Sequence, residues 1–284
     1  MRAFALCLLL ALSCLAGTAR ARDELVTSAR TAGGETVPYV LTSKPGTPLE
    51  AVAYAVILMP GGKGVMNPRM MDGKLAFAFG GNFLIRSREL FADGGFVAAS
   101  TDATSSPARI LAIARDLERR TGKIAIYVIG TSRSTEATMA LSAPLDGQVA
   151  GFVHTSSMNG ISGFDPRRYR SRHLVVYHRR DACRVTNPSS SAASRTSFGT
   201  EVIEIDGGKS TGDDCEAYAY HGYNGVEAET VAQIKVWIAR VSRARGHLQL
   251  KTISRGVKVG SGEGAPGGRG QAASARRFST IGRS

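Results

Sequence analysis

Continuous apolar runs of strand length set the frame of this chain. Ala51 to Met59 (AVAYAVILM) and Ala125 to Ile129 (AIYVI) are apolar throughout, and Phe96 to Thr101 (FVAAST) is short and made mostly of small residues. Runs without polar alternation are expected of strands covered on both faces, as in a parallel sheet. Val149 to Ser156, His173 to His178 and Thr200 to Asp206 continue the series. Glu24 to Ser28 and Thr36 to Thr42 read instead as edge strands, because Pro38 cannot donate to a ladder. Helical patterns lie between the strands. Gly80 to Ala92 has apolar residues at 83, 84, 90 and 91, and Ala108 to Arg120 is opened by Ser105-Ser106-Pro107 and closed by Gly122. Glu229 to Val241 puts Val231, Ile234, Trp237, Ile238 and Val241 on one face. This alternation predicts right-handed crossovers and an α/β fold with a mainly parallel, doubly wound sheet. Chemistry in such sheets gathers at the carboxyl ends of strands.

The stretch Ala125 to Thr138 (AIYVIGTSRSTEAT) breaks from strand into turn into helix-compatible sequence, and we read it as a nucleophile elbow centred on Ser132. Gly130 supplies the small residue two before the serine; Ser134 stands two after it, where glycine is usual. A Gly-x-Ser turn alone is more often a plain loop, so the surrounding chain has to carry the case. Pro60-Gly61-Gly62-Lys63-Gly64 ends the Ala51 strand in backbone unshielded by side chains, which could supply N–H donors to an oxyanion.

A serine needs a base and the base an orienting acid. Of five histidines, His154, His173 and His178 lie in apolar strand runs and read as structural, and His247 falls in the terminal tail. His221, in Tyr-His-Gly-Tyr-Asn-Gly between the last strand and the last helix, is the candidate base. Asp181, three residues beyond the His173–His178 strand, is the candidate acid; Asp165 is the alternative, and Asp206 sits at a strand end without an evident reason.

Composition narrows the setting. At 284 residues, 43% hydrophobic and 21% charged, the chain can bury a full core. Residues 1–21 combine Arg2, an apolar run from Phe4 to Leu15 and Ala19-Arg20-Ala21, the layout of a secretory signal peptide; the run is shorter than the roughly 20 residues a membrane span needs. Of the formal charge of +13, +8 falls in residues 243–284 and +2 in the first 21, leaving +3 for the expected domain, 22–242. No basic stripe interleaved with aromatics marks that domain, so nucleic-acid recognition is not expected. Residues 243–284 read as a basic Gly/Ser-rich disordered tail. Once the leader is removed two cysteines remain, Cys183 and Cys215, most simply a disulfide in an exported, periplasmic or extracellular protein. Two thiols and no spaced histidine pair make a metal site unexpected.

With Ser132, Asp181 and His221 in that order, each after its expected strand, the chain resembles the α/β-hydrolases, closest to small lidless esterase-like or dienelactone-hydrolase-like members. The resemblance covers roughly Val37 to Val241, with Ser134 in place of glycine as its departure. It implies oxyanion donors from the backbone of Arg133 and of Gly61 or Gly62, no cofactor, and acyl transfer from a small-molecule ester or thioester to water. A serine peptidase with the same residues and a noncatalytic binding protein of this fold are the other readings. Only sixteen residues, Ser157 to Arg172, join the two strands between which many relatives insert a cap, too few for a packed cap domain. Oligomeric state is left open.

Overall fold

The computed structural model describes residues 23–72 and 74–240. The expected leader, the tail and Val241 lie outside the described residues. The described residues form ten strands: β1 (Asp23–Arg30), β2 (Thr36–Ser43), β3 (Tyr54–Met59), β4 (Arg69–Met71), β5 (Lys74–Ala76), β6 (Phe96–Ser100), β7 (Ala125–Thr131), β8 (Gly151–Thr155), β9 (Arg172–His178) and β10 (Glu201–Ile205). Eight of them form one sheet in the order β1-β2-β6-β3-β7-β8-β9-β10. The β1–β2 and β2–β6 pairs are antiparallel and every other pair is parallel. β4 and β5 make a separate hairpin that the hydrophobic pattern did not announce.

The apolar runs become two-faced strands. Along β3, Ala55, Ile57 and Met59 enter one core cluster while Val56 and Leu58 enter the other. The first cluster is closed by Ile110, Ile113 and Leu117 of the helix Pro107–Thr121 and Leu141 of the helix Ser134–Leu141. Val231, Ile234, Trp237 and Ile238, on a helix spanning 227–240, close the second.

Several expectations need correction. The chain enters β3 only at Tyr54, because Leu49–Ala51 forms a 3-10 turn. Pro38 is not on an edge strand: β1 is the edge and β2 lies inside it. The ladder from β2 to β6 begins at Val40, so the missing Pro38 N–H falls beyond its end, and the Pro38 carbonyl accepts instead from the Thr101 hydroxyl (2.9 Å). The helix expected over Gly80 to Ala92 is two single turns, Phe83–Arg86 and Arg88–Phe91, broken at Ser87. Its three consecutive apolar residues, Phe83, Leu84 and Ile85, do not all face one core. Phe83, Leu84 and Phe91 enter the second cluster while Ile85 packs with Val40 and Met66.

Candidate active site

Four parallel strands end in register and present their following residues to one region. Met59 of β3 stands beside Gly130 of β7, Thr131 beside Thr155 of β8, and Thr155 beside Val176 of β9. Ser132 follows β7 at once and has φ of +53°, the left-handed region that costs a non-glycine residue energy and is retained mainly where function requires it. Its N–H donates to the Thr155 carbonyl (2.9 Å), and its carbonyl accepts from Thr135 N (2.9 Å) and from the Thr135 hydroxyl (2.6 Å). The turn is therefore held from both sides.

The glycines around it follow from space. A Cβ on Gly130 would lie 2.7 Å from the Ser134 carbonyl oxygen and 2.9 Å from Thr138 Cγ2. On Gly61 it would lie 2.7 Å from the Thr131 carbonyl and 2.9 Å from Ser132 Cβ, so the loop after β3 rests directly on the serine. Ser134 is buried and used: its Oγ accepts from Thr131 N (2.8 Å) and lies 2.8 Å from the Met59 carbonyl and 2.9 Å from that of Thr131.

Asp181 and His221 are brought together, and both are buried. Asp181 Oδ2 is 3.0 Å from His221 Nδ1, and Asp181 Oδ1 accepts from the Cys183 N–H (2.9 Å). Cys183 and Cys215 are joined in a disulfide with Cα atoms 4.7 Å apart, tying the loop of the acid to the loop that leads to the histidine. His221 sits on a 3-10 turn, Tyr220–Gly222. The Ser156 hydroxyl donates to the His221 carbonyl (2.7 Å), the Tyr223 hydroxyl donates to the Val176 carbonyl (2.9 Å), and Arg86 Nη2 donates to the Gly222 carbonyl (2.5 Å) while pairing with Glu227. Burial pushes the Tyr223 hydroxyl pKa up, which keeps it neutral in this role. Only glycine fits at 222, where a Cβ would lie 1.9 Å from the Ala217 carbonyl oxygen.

Ser132 and His221 line the same cavity of about 430 Å³. Its wall includes Gly61, Gly62 and Arg133, the expected oxyanion donors, with Phe79, Phe83, Met158, Val185 and the disulfide supplying apolar surface. Behind it, Asp181 meets His221 Nδ1 and is not among the residues that line the cavity.

The alternatives separate cleanly. Asp165 caps the 3-10 turn Pro166–Arg168 and is gripped by Arg167 through Nε (2.8 Å) and Nη2 (2.9 Å); these bonds outweigh its desolvation and hold its carboxyl below the usual range. Asp206 pairs with Arg179 (3.5 Å) and Arg180 (3.2 Å), the two cations preceding Asp181, which gives it the reason its position lacked. His154 lies inside β8, His173 inside β9 and His178 at the end of β9, and all three are buried. Sequence reasoning missed Thr186, whose hydroxyl reaches both Asp181 Oδ2 (3.0 Å) and His221 Nδ1 (3.1 Å), and it missed Ser156, Tyr223 and Arg86.

No protein-family model matches the chain, and no curated protein does. Among solved structures it is similar to a lidless α/β serine hydrolase from Xanthomonas campestris, at 10% identity and a TM-score of 0.50, over 74% of this chain and 94% of that one. It is also similar to Est1E from Butyrivibrio proteoclasticus, at 13% identity and a TM-score of 0.51, over 76% of this chain and 98% of that one. Puromycin hydrolase matches at 13% identity and a TM-score of 0.50, over 75% of this chain but 39% of its own length. These likenesses show the fold, that of an α/β-hydrolase without a lid.

Proposed function

We propose that this protein is a serine hydrolase of carboxylic esters or thioesters, with Ser132 as nucleophile, His221 as base and Asp181 as orienting acid. The observation that carries it is the buried Asp181–His221 bond of 3.0 Å behind a cavity shared by His221 and the left-handed Ser132. His221 Nε2 takes the Ser132 proton as Oγ attacks the acyl carbon, and the tetrahedral oxyanion forms beside the backbone of Arg133 and Gly61 or Gly62. The carbon–oxygen bond then breaks, the leaving alcohol takes the proton from His221, and acyl-Ser132 remains. Water, deprotonated by His221, attacks the acyl group and releases the acid, and the proton returns to Ser132. We further infer that the protein is exported, from its leader-like residues 1–21 and from the disulfide. No helix among the described residues is long and apolar enough to cross a membrane.

The experiment is labelling by a fluorophosphonate, followed by a panel of ester, thioester and amide substrates on the protein expressed with its leader. Wild type should be labelled and should hydrolyse esters. Ser132→Ala should be unlabelled, and His221→Ala should lose several powers of ten in turnover. Equal labelling of Ser132→Ala defeats the assignment, faster amide than ester cleavage makes it a peptidase, and a mature N-terminus anywhere but near Arg22 defeats the export reading.

A further inference from the structure

One buried hydroxyl stands inside the Asp181–His221 pair. Thr186 is 1% exposed, and its Oγ1 lies 3.0 Å from Asp181 Oδ2 and 3.1 Å from His221 Nδ1, which are themselves 3.0 Å apart. Three polar atoms thus form a closed triangle, and the hydrogens available decide how it can be satisfied. A threonine hydroxyl has one hydrogen and an ionised carboxylate has none. Were Nδ1 bare, that hydrogen could serve only one of its two neighbours, and a carboxylate oxygen would face a nitrogen lone pair at 3.0 Å with no proton between them. With a hydrogen on Nδ1, the Thr186 hydroxyl donates to Asp181, and the N–H is shared between Asp181 Oδ2 and Thr186 Oγ1. Every contact is then donor to acceptor, which burial demands.

The hydroxyl is also held in place from outside the triangle. Thr186 N donates to the Cys183 carbonyl (3.1 Å) within the turn that follows Asp181. Asn159, on the loop after β8, donates from its backbone to the Val185 carbonyl (2.8 Å) and from Nδ2 to the Arg184 carbonyl (2.8 Å), and its Oδ1 accepts from Asn187 N (2.8 Å). The residues on both sides of Thr186 are thereby pinned, and the disulfide pins Cys183.

We propose that Thr186 is a positioning residue of this site: by donating to Asp181 and accepting from His221, its hydroxyl fixes the imidazole as the Nδ1–H tautomer and keeps Nε2 free to accept the Ser132 proton. The inference rests on the proposed roles of Ser132, His221 and Asp181. It is tested with Thr186→Val, which keeps the shape and removes the hydroxyl, and Thr186→Ser, which keeps the hydroxyl. With a soluble short-chain ester, Thr186→Val should lose ~10- to 100-fold in kcat, the span typical of outer groups that orient a reacting one, with KM nearly unchanged. Thr186→Ser should recover most of that loss. The acid limb of the kcat/KM profile against pH should move in Thr186→Val and return in Thr186→Ser, a change that looser packing alone would not produce. Should the valine protein fail to fold, Thr186→Ala removes the same hydroxyl with less bulk. Wild-type turnover and pH profile in the valine or alanine protein, or an equal loss in valine and serine proteins, overturns the inference. Wild-type turnover in Ser132→Ala or His221→Ala would instead overturn the reading on which it rests.

Discussion

At Ser134 a single side chain solves a problem that glycine solves in most nucleophile elbows. Glycine there lets the helix approach the sheet; serine is only slightly larger, and its hydroxyl becomes the acceptor for the buried Thr131 N–H, with the Met59 carbonyl 2.8 Å away. Removing the hydroxyl leaves that donor without its partner. Ser134→Ala should therefore lose about 1–3 kcal/mol of stability in urea denaturation, the usual cost of an orphaned buried group. An unchanged midpoint would show that Thr131 N finds another acceptor. The place of Ser132 at the end of β7 and the meeting of His221 with Asp181 were legible in the sequence, because chains carry few histidines and because a serine at a strand-turn-helix junction is conspicuous. Thr186 was not. Threonines are common in loops, and this one matters only because Asn159, far from it in the chain, sets its turn against His221.

Elements were legible where apolar spacing was strong and lost where other forces formed them. The run of β3 announced a strand buried on both faces, and the helix Pro107–Thr121 carried its Pro107 start and Gly122 stop in plain view. The helix Pro188–Phe198 has just as clear an Asn187 cap (2.9 Å to Ser189 N), a proline at its first position and Gly199 in the left-handed conformation. It lacks an apolar stripe, so periodicity is blind to it; it buries Ser191 and Ser194 instead, with Ser194 bonded to Thr200 (2.7 Å). Strands β8 and β9 carry histidines within the sheet, and these link fold to pH. His154 Nδ1 meets the Thr138 hydroxyl (2.7 Å) and its Nε2 meets His173 Nδ1 (3.2 Å). Burial pushes His154 well below its usual range and brings His173 from 6.5 down to about 4, against a weaker upward pull from Asp146; burial likewise lowers His178. With folded pKa values depressed, the unfolded chain binds these protons first, so acid favours unfolding. Stability contributed by the neutral histidines is intact above about pH 6.5 and is lost as pH falls toward 4. Asp93, Asp116 and Asp206 are lowered from 3.8, so their losses come at still lower pH. Denaturation midpoints should drop between pH 7.5 and 5, and His173→Phe should flatten that drop. A flat wild-type profile would contradict the burial argument.

At the scale of the whole molecule, no described segment is built as a cap over the site. Between β8 and β9, where a cap domain could be inserted, the chain forms only two 3-10 turns, Asn159–Gly163 and Pro166–Arg168, and the first packs against the helix Pro188–Phe198 and buries Ile161. Such a segment has too little apolar surface of its own to move as a packed unit. Another described stretch that reaches the cavity is 63–79, whose Lys63 and Phe79 line it. It is pinned at Met66, whose N–H donates to Asp102 (2.8 Å) and whose carbonyl accepts from Ala78 N (2.9 Å), and it carries the β4–β5 hairpin with Met70 65% exposed. With both ends of that hairpin tied, no described segment is expected to have to open before a substrate reaches Ser132. A dissolved short-acyl ester should give simple saturation, and a short-chain triglyceride should gain no rate as it passes its solubility limit. A sharp rise at that limit would mean that a segment does cover the cavity and is drawn off by the lipid surface. Met70→Ser and Met71→Ser would then locate it: if the rise vanishes with these exposed methionines, the hairpin is the lid.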